Sequence, residues 1–207
     1  MMIKLLSAFG LMIGLSGCAA VVATSSSDPQ QDKFQAVAQD MAARAPVSDV
    51  ASASIPWREA SRKFSLGRRD QLAVFDEGKA YFKAIQLPPE SAGRRLEIRS
   101  YYSLDFPTTL LVPSLIFLDS SKQVLEKRPT PAYKIVNGFG EHIQLVETIP
   151  ASAALVIVYT TPARTAERMT FQTYRMTGVL PSPSFEGKDT GFGGFYEGIL
   201  RLALIDP

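Results

Sequence analysis

Two runs in this chain, Ser114-Leu115-Ile116-Phe117-Leu118-Asp119 and Ala154-Leu155-Val156-Ile157-Val158-Tyr159-Thr160, are apolar at consecutive positions and rich in β-branched residues. Successive side chains of a strand point to opposite faces, so a strand apolar at every position is buried on both. Each run therefore predicts a central strand of a sheet covered on both sides, and the rest of the chain must supply the cover.

Shorter candidates surround them. Leu72, Val74 and Phe75, then Tyr81 to Leu87, then Arg94 to Tyr102 read as strands, as do His142 to Val146, Met169 to Tyr174 and Gly198 to Ile205. Asp76-Glu77-Gly78 and Leu87-Pro88-Pro89-Glu90 are turn signals, and Asp119 heads Asp119-Ser120-Ser121-Lys122, where its carboxylate caps backbone N–H groups. About eight short strands, with no helix long enough for crossovers between parallel strands, predict an all-β fold: an antiparallel, jelly-roll-like β-sandwich.

The N-terminus is of another kind. Lys4 precedes the apolar run Leu5 to Leu15, the order of an export signal. The run is too short for a membrane span, which needs about 20 apolar residues. Leu15-Ser16-Gly17-Cys18 resembles the bacterial lipobox, and Cys18 is the chain's one cysteine. That resemblance implies a signal peptide over 1–17, cleavage before Cys18 and lipid on its thiol, so that the membrane is a partner through Cys18. Ala19, being neutral, implies sorting to the outer membrane, with the protein facing the periplasm of the bacterial cell envelope. Residues 18–54 form the lipidated tether, with a short amphipathic helix over 33–45 marked by Phe34, Val37, Ala38 and Met41, and 55–207 form the sandwich domain. Without Lys4, 21 Lys and Arg face 20 Asp and Glu. That balance gives no electrostatic reason to expect nucleic acid or a strongly anionic partner.

Four segments in order resemble the maltose operon periplasmic protein family (MalM). They are Ile55-Pro56-Trp57, Val112-Pro113-Ser114 through Asp119, Leu155-Val156-Ile157-Val158-Tyr159-Thr160-Thr161, and Leu180-Pro181-Ser182-Pro183 followed by Gly198-Ile199-Leu200-Arg201-Leu202. The chain departs from that family's best-known member in carrying a lipobox and in lacking a long C-terminal extension. The resemblance implies a non-catalytic periplasmic protein used alongside maltose and maltodextrin uptake, and it transfers no binding residues.

The chemistry written in the sequence is sparse. His142 is the one histidine, no Gly-x-Ser-x-Gly elbow occurs, and beside Glu141 His142 reads as an exposed strand residue. Asp105, Asp119, Glu141, Glu147 and Glu197 are scattered, so a glycoside-hydrolase pair has little support. Neither a metal site nor a cofactor is expected. The glycines from Gly187 to Gly198 lack the Lys-Ser/Thr of a phosphate loop and read as a hairpin loop. Aromatic rings are the one recognition surface to expect, because sugar C–H faces stack on them: Trp57, Tyr133, Phe139, Phe192, Phe195 and Tyr196 are the candidates, with core packing as the alternative for each. The sequence thus leads to a carbohydrate-uptake accessory or binding protein. The alternative is an envelope structural or assembly lipoprotein that docks on another membrane protein.

Overall fold

The computed structural model describes residues 29–101, 109–129, 131–136, 142–160, 168–177, 184–194 and 197–206. Cys18, Phe139, Glu141, Asp105, Phe195 and Tyr196 lie outside them.

Two antiparallel five-stranded sheets face each other. One sheet holds β1 (Phe64–Leu66), β4 (Arg95–Tyr101), β8 (Tyr133–Val136), β9 (His142–Thr148) and β13 (Gly198–Ile205), in the order β1-β13-β4-β9-β8. The other holds β2 (Gln71–Phe75), β3 (Gly78–Gln86), β6 (Ser114–Leu118), β7 (Val124–Arg128) and β10 (Leu155–Tyr159), in the order β2-β3-β10-β6-β7. Setting aside the edge strands β2 and β8 and numbering the remainder in chain order gives 1-8-3-6 facing 2-7-4-5, the strand order of a jelly roll. A third sheet pairs β11 (Arg168–Thr177) with β12 (Ser184–Gly194), and the end of β12 runs parallel to the short β5 (Thr109–Leu110).

The two apolar runs are β6 and β10, adjacent in the middle of the second sheet. Leu115, Phe117, Val156 and Val158 face inward, where they meet Ile98 and Leu145 of the first sheet. Ile116, Leu118, Ile157 and Tyr159 point the other way, into a second apolar cluster on the sheet's outer side. Val47, Val50 and Ala51 close over that cluster, so residues 47–51 pack on the body where the sequence read as a spacer. Backbone bonds fix them: Val47 N–H donates to Leu72 O at 2.8 Å. Ile55 N–H donates to Ala84 O, and Gln86 N–H to Ile55 O, both at 2.9 Å. The two Ile55 bonds satisfy the part of β3 that β2 does not reach.

The turns follow from their residues. Phe75 pairs with Gly78 across Asp76-Glu77, and Gly78 takes φ 124°, which a glycine adopts without steric cost. Asp119 Oδ1 accepts from the N–H groups of Ser121 at 2.8 Å and Gln123 at 2.9 Å, so it caps its turn as its position implies. Within β6 the buried Ser114 hydroxyl donates to Pro129 O at 2.5 Å.

The amphipathic helix spans Pro29–Ala43 (α1) and docks: Val37 and Met41 are buried in the inner core, with Phe34 against it. A one-turn helix, Trp57–Ala60 (α2), seats Ala60 in the same core. The glycine-rich segment differs from its expected form. Residues 184–194 are strand, registered against β11 from Thr177↔Ser184 to Arg168↔Gly193, because backbone pairing with a neighbour needs no side chains.

Candidate functional site

A cleft of about 650 Å³ opens where the β1–β2 loop meets the start of β13. Its walls are Ser65 to Asp70, Tyr101, Glu197 to Ile199, and Lys33 of α1. Its size falls within the range of small-ligand sites, roughly 300–1,000 Å³.

The loop Gly67-Arg68-Arg69-Asp70 is held from both sides. Arg44, at the end of α1, donates to the carbonyls of Arg68 at 2.6 Å and Asp70 at 2.5 Å. Asp70 Oδ2 accepts from Gly67 N–H at 2.8 Å, while its other oxygen pairs with Lys83 on β3. Glu197 Oε1 accepts from Arg68 N–H at 2.8 Å and from its guanidinium at 3.1 Å. A Cβ at Gly67 would lie 2.8 Å from Glu197 Oε1, so a larger residue there would displace the Glu197 carboxylate from Arg68. These contacts engage both oxygens of Asp70 and one of Glu197 in holding the loop. Arg69 is exposed and carries no contact among the described residues, so its guanidinium is left for solvent or a ligand.

Tyr101 supplies the cleft's ring. Along β4, Leu96, Ile98 and Ser100 point inward and are buried, so Glu97, Arg99 and Tyr101 share the outer face of the first sheet. Lys63 Nζ stands 4.1 Å from the Tyr101 ring centroid. The His142 ring lies 5.5 Å away on the other side of the register pair, tilted by 40°. His142 is thus a half-buried strand residue against an aromatic neighbour.

The next rung of that face aligns Arg201, Arg99, Gln144 and Lys134, one from each of four adjacent strands. Glu97, one rung on, is only 4% exposed; Arg99 Nη2 lies 3.0 Å from its Oε2, and Gln144 Nε2 donates to its Oε1. The hydrogen bond to Glu97 holds the Arg99 guanidinium above its ordinary value, with burial acting the other way and the Tyr101 hydroxyl contributing in the same sense as Glu97.

The expected aromatics fall elsewhere. Trp57 and Tyr133 are half-buried against the inner core, and neither lines the cleft. Phe192 is in β12, opposite Met169. Of the scattered carboxylates, Glu197 reaches the cleft, Asp119 caps its turn, and Glu147 pairs with Arg128 across 3.3 Å. Sequence reasoning missed Arg68, Arg69, Asp70 and Tyr101. Gly67 and Asp70, turn residues between two strand runs, were the available signal for the loop.

A second, smaller groove of about 350 Å³ lies on the outer side of the other sheet. Phe75 stacks on Tyr159 at its floor, with centroids 4.0 Å apart and planes 21° apart. Ion pairs of Lys122 with Asp49 and Lys127 with Asp76 stand on its rim.

No family model, no curated protein and no solved structure matches this chain. Among the described residues, no helix is long and apolar enough to cross a membrane.

Proposed function

We propose that this chain is a lipid-anchored envelope protein of the maltose operon family that binds carbohydrate as a non-catalytic accessory to uptake, with the cleft beside Tyr101 as its sugar site. The cleft carries the reading. It sets one aromatic ring among guanidinium, carboxylate and hydroxyl groups, the combination that stacks a sugar face and meets its hydroxyls. The jelly-roll order supports it by analogy, since lectin domains use that architecture. The family assignment and the Cys18 anchor rest on the sequence segments and the lipobox.

Titration calorimetry of the full chain with maltodextrins tests the reading. Heat of binding and a thermal shift at millimolar sugar are expected, both lost in Tyr101→Ala. No heat and no shift would sink it. For the anchor, mass spectrometry of the mature chain is expected to find diacylglycerol on Cys18, and an unmodified Cys18 would refute it.

Docking on another envelope protein is the second reading, favoured by the groove over Phe75. Val74 is 62% exposed and Val124 53%, both on its rim, and β7 is a free sheet edge among the described residues. Crosslinking in cells separates the two: a stoichiometric protein partner indifferent to sugar favours docking.

A further inference from the structure

The near-neutral balance of the chain conceals an uneven distribution. On the outer face of the first sheet, Arg95, Arg99, Arg201 and Lys134 are the charged residues besides Glu97 among the described strand positions. Glu97 is buried and already paired with Arg99, so it offers little negative charge to solvent. The cleft continues the same sign. Its carboxylates are neutralised by Arg68 and Lys83, while Arg69 and the Lys63 ammonium over Tyr101 remain on its exposed side. Among the described residues the buried Arg99 Nε has no hydrogen-bond partner.

From this we infer that the ligand of the cleft and the adjoining face is an acidic glycan, a saccharide bearing carboxylates along its length. The inference rests on the sugar-binding part of the reading above and goes beyond it in the ligand's charge. Three observations converge on such a ligand. Arg69 presents an unpaired planar fork, which matches a carboxylate bidentately. The Tyr101 ring lines the same cleft for stacking, with the His142 ring 5.5 Å from it. The rung Arg201-Arg99-Gln144-Lys134 then sets one donor side chain on each of four strands, about 4.8 Å apart, across which an extended polymer can run. A membrane surface would also answer to the charge, but a concave cleft with an aromatic ring at its wall favours a discrete chain that enters it.

The test uses the full chain carrying Cys18→Ser, so that no lipid confounds it, titrated with oligogalacturonate, with maltohexaose, and with vesicles of phosphatidylglycerol and phosphatidylcholine. Oligogalacturonate is expected to bind at least about ten-fold more tightly than maltohexaose at low salt. Raising salt from about 0.01 M to about 1 M, which shortens the Debye length from about 30 Å to about 3 Å, is expected to erase that advantage. Arg69→Gln and Lys134→Gln together are expected to lower oligogalacturonate affinity several-fold, with the thermal midpoint unchanged because both residues are exposed. Equal affinity for the two sugars overturns the inference and leaves the sugar-binding reading intact. No binding of either sugar overturns both, and binding to vesicles alone assigns the cationic face to a membrane surface instead.

Discussion

The Tyr81 hydroxyl on β3 donates a hydrogen bond to Asp40 Oδ2 on α1 across 2.5 Å. Around this bond Arg44 reaches the same Asp40 oxygen at 3.3 Å and stands 5.6 Å from the Tyr81 ring, while Lys79 donates to the carbonyls of Met41 and Arg44 at the helix end. The helix that the sequence set on a tether is thereby joined to the sheet, and through Arg44 to the loop that forms the cleft wall. Tyr81→Phe keeps the ring and removes the donor. It is expected to cost about 1.5–3 kcal/mol, the range for a hydrogen bond to a charged group, in urea unfolding. Faster proteolysis near Ala43 should accompany it, and an unchanged rate there would argue against the coupling.

The same bond sets an acid dependence. The Tyr81 hydrogen bond holds the Asp40 carboxyl below its usual range, against the opposing effect of burial and with help from Arg44. Because the folded value lies below the unfolded one, about 3.9, the stabilisation is present above that pH and is lost as pH falls through the folded value. Urea midpoints measured from pH 6 down to pH 3 should therefore fall less steeply in Asp40→Asn than in the native chain. Parallel slopes would remove Asp40 from the account.

Gly198 opens β13, and a Cβ built there would lie 2.5 Å from Leu111 Cβ and 3.3 Å from its backbone N. Leu111 is fully buried, so neither partner can retreat into solvent. Gly198→Ala is expected to destabilise by about 1–3 kcal/mol, the usual range for overpacking. Gly67→Ala meets the Glu197 side chain, which can swing away, so its stability cost should be smaller while Arg68 loses its carboxylate partner. Thermal melts of the two variants check the order, and a larger loss in Gly67→Ala would contradict it.

What could be read from the sequence followed what burial writes into it. The central strands β6 and β10 were legible because both of their faces are covered, and β9 because Ile143 and Leu145 alternate with polar neighbours. β7 left no such trace: Val124, Leu125 and Lys127 are exposed, and the strand is defined by pairing with β6. The glycine-rich β12 was hidden for the same reason, its pairing with β11 being a property of backbone. The cleft draws on residues 65–70, 101 and 197–199, brought together by the pairing of β1 and β4 on either side of β13, a contact without a local motif. Trp57 was a candidate as a ring on which a sugar could stack, but a large ring next to a buried strand system is drawn inward by its own apolar area.

Trp57 and Tyr101 should consequently fail in opposite ways. Trp57 packs against the inner core beside α2, so Trp57→Ala removes buried area and leaves space between the sheets. Full burial of such a ring makes truncation cost about 3–5 kcal/mol, and the half-buried position of Trp57 places the expected loss at or below the lower end. Tyr101 instead faces outward at the cleft, its ring between Lys63 and His142. Tyr101→Ala should change the melting midpoint less than Trp57→Ala does, yet abolish the calorimetric signal with saccharide. Measuring both variants by both methods separates a ring that holds the fold from one that meets a ligand. If Trp57→Ala stays folded and loses saccharide binding while Tyr101→Ala keeps it, the site has been placed on the wrong side of the sandwich.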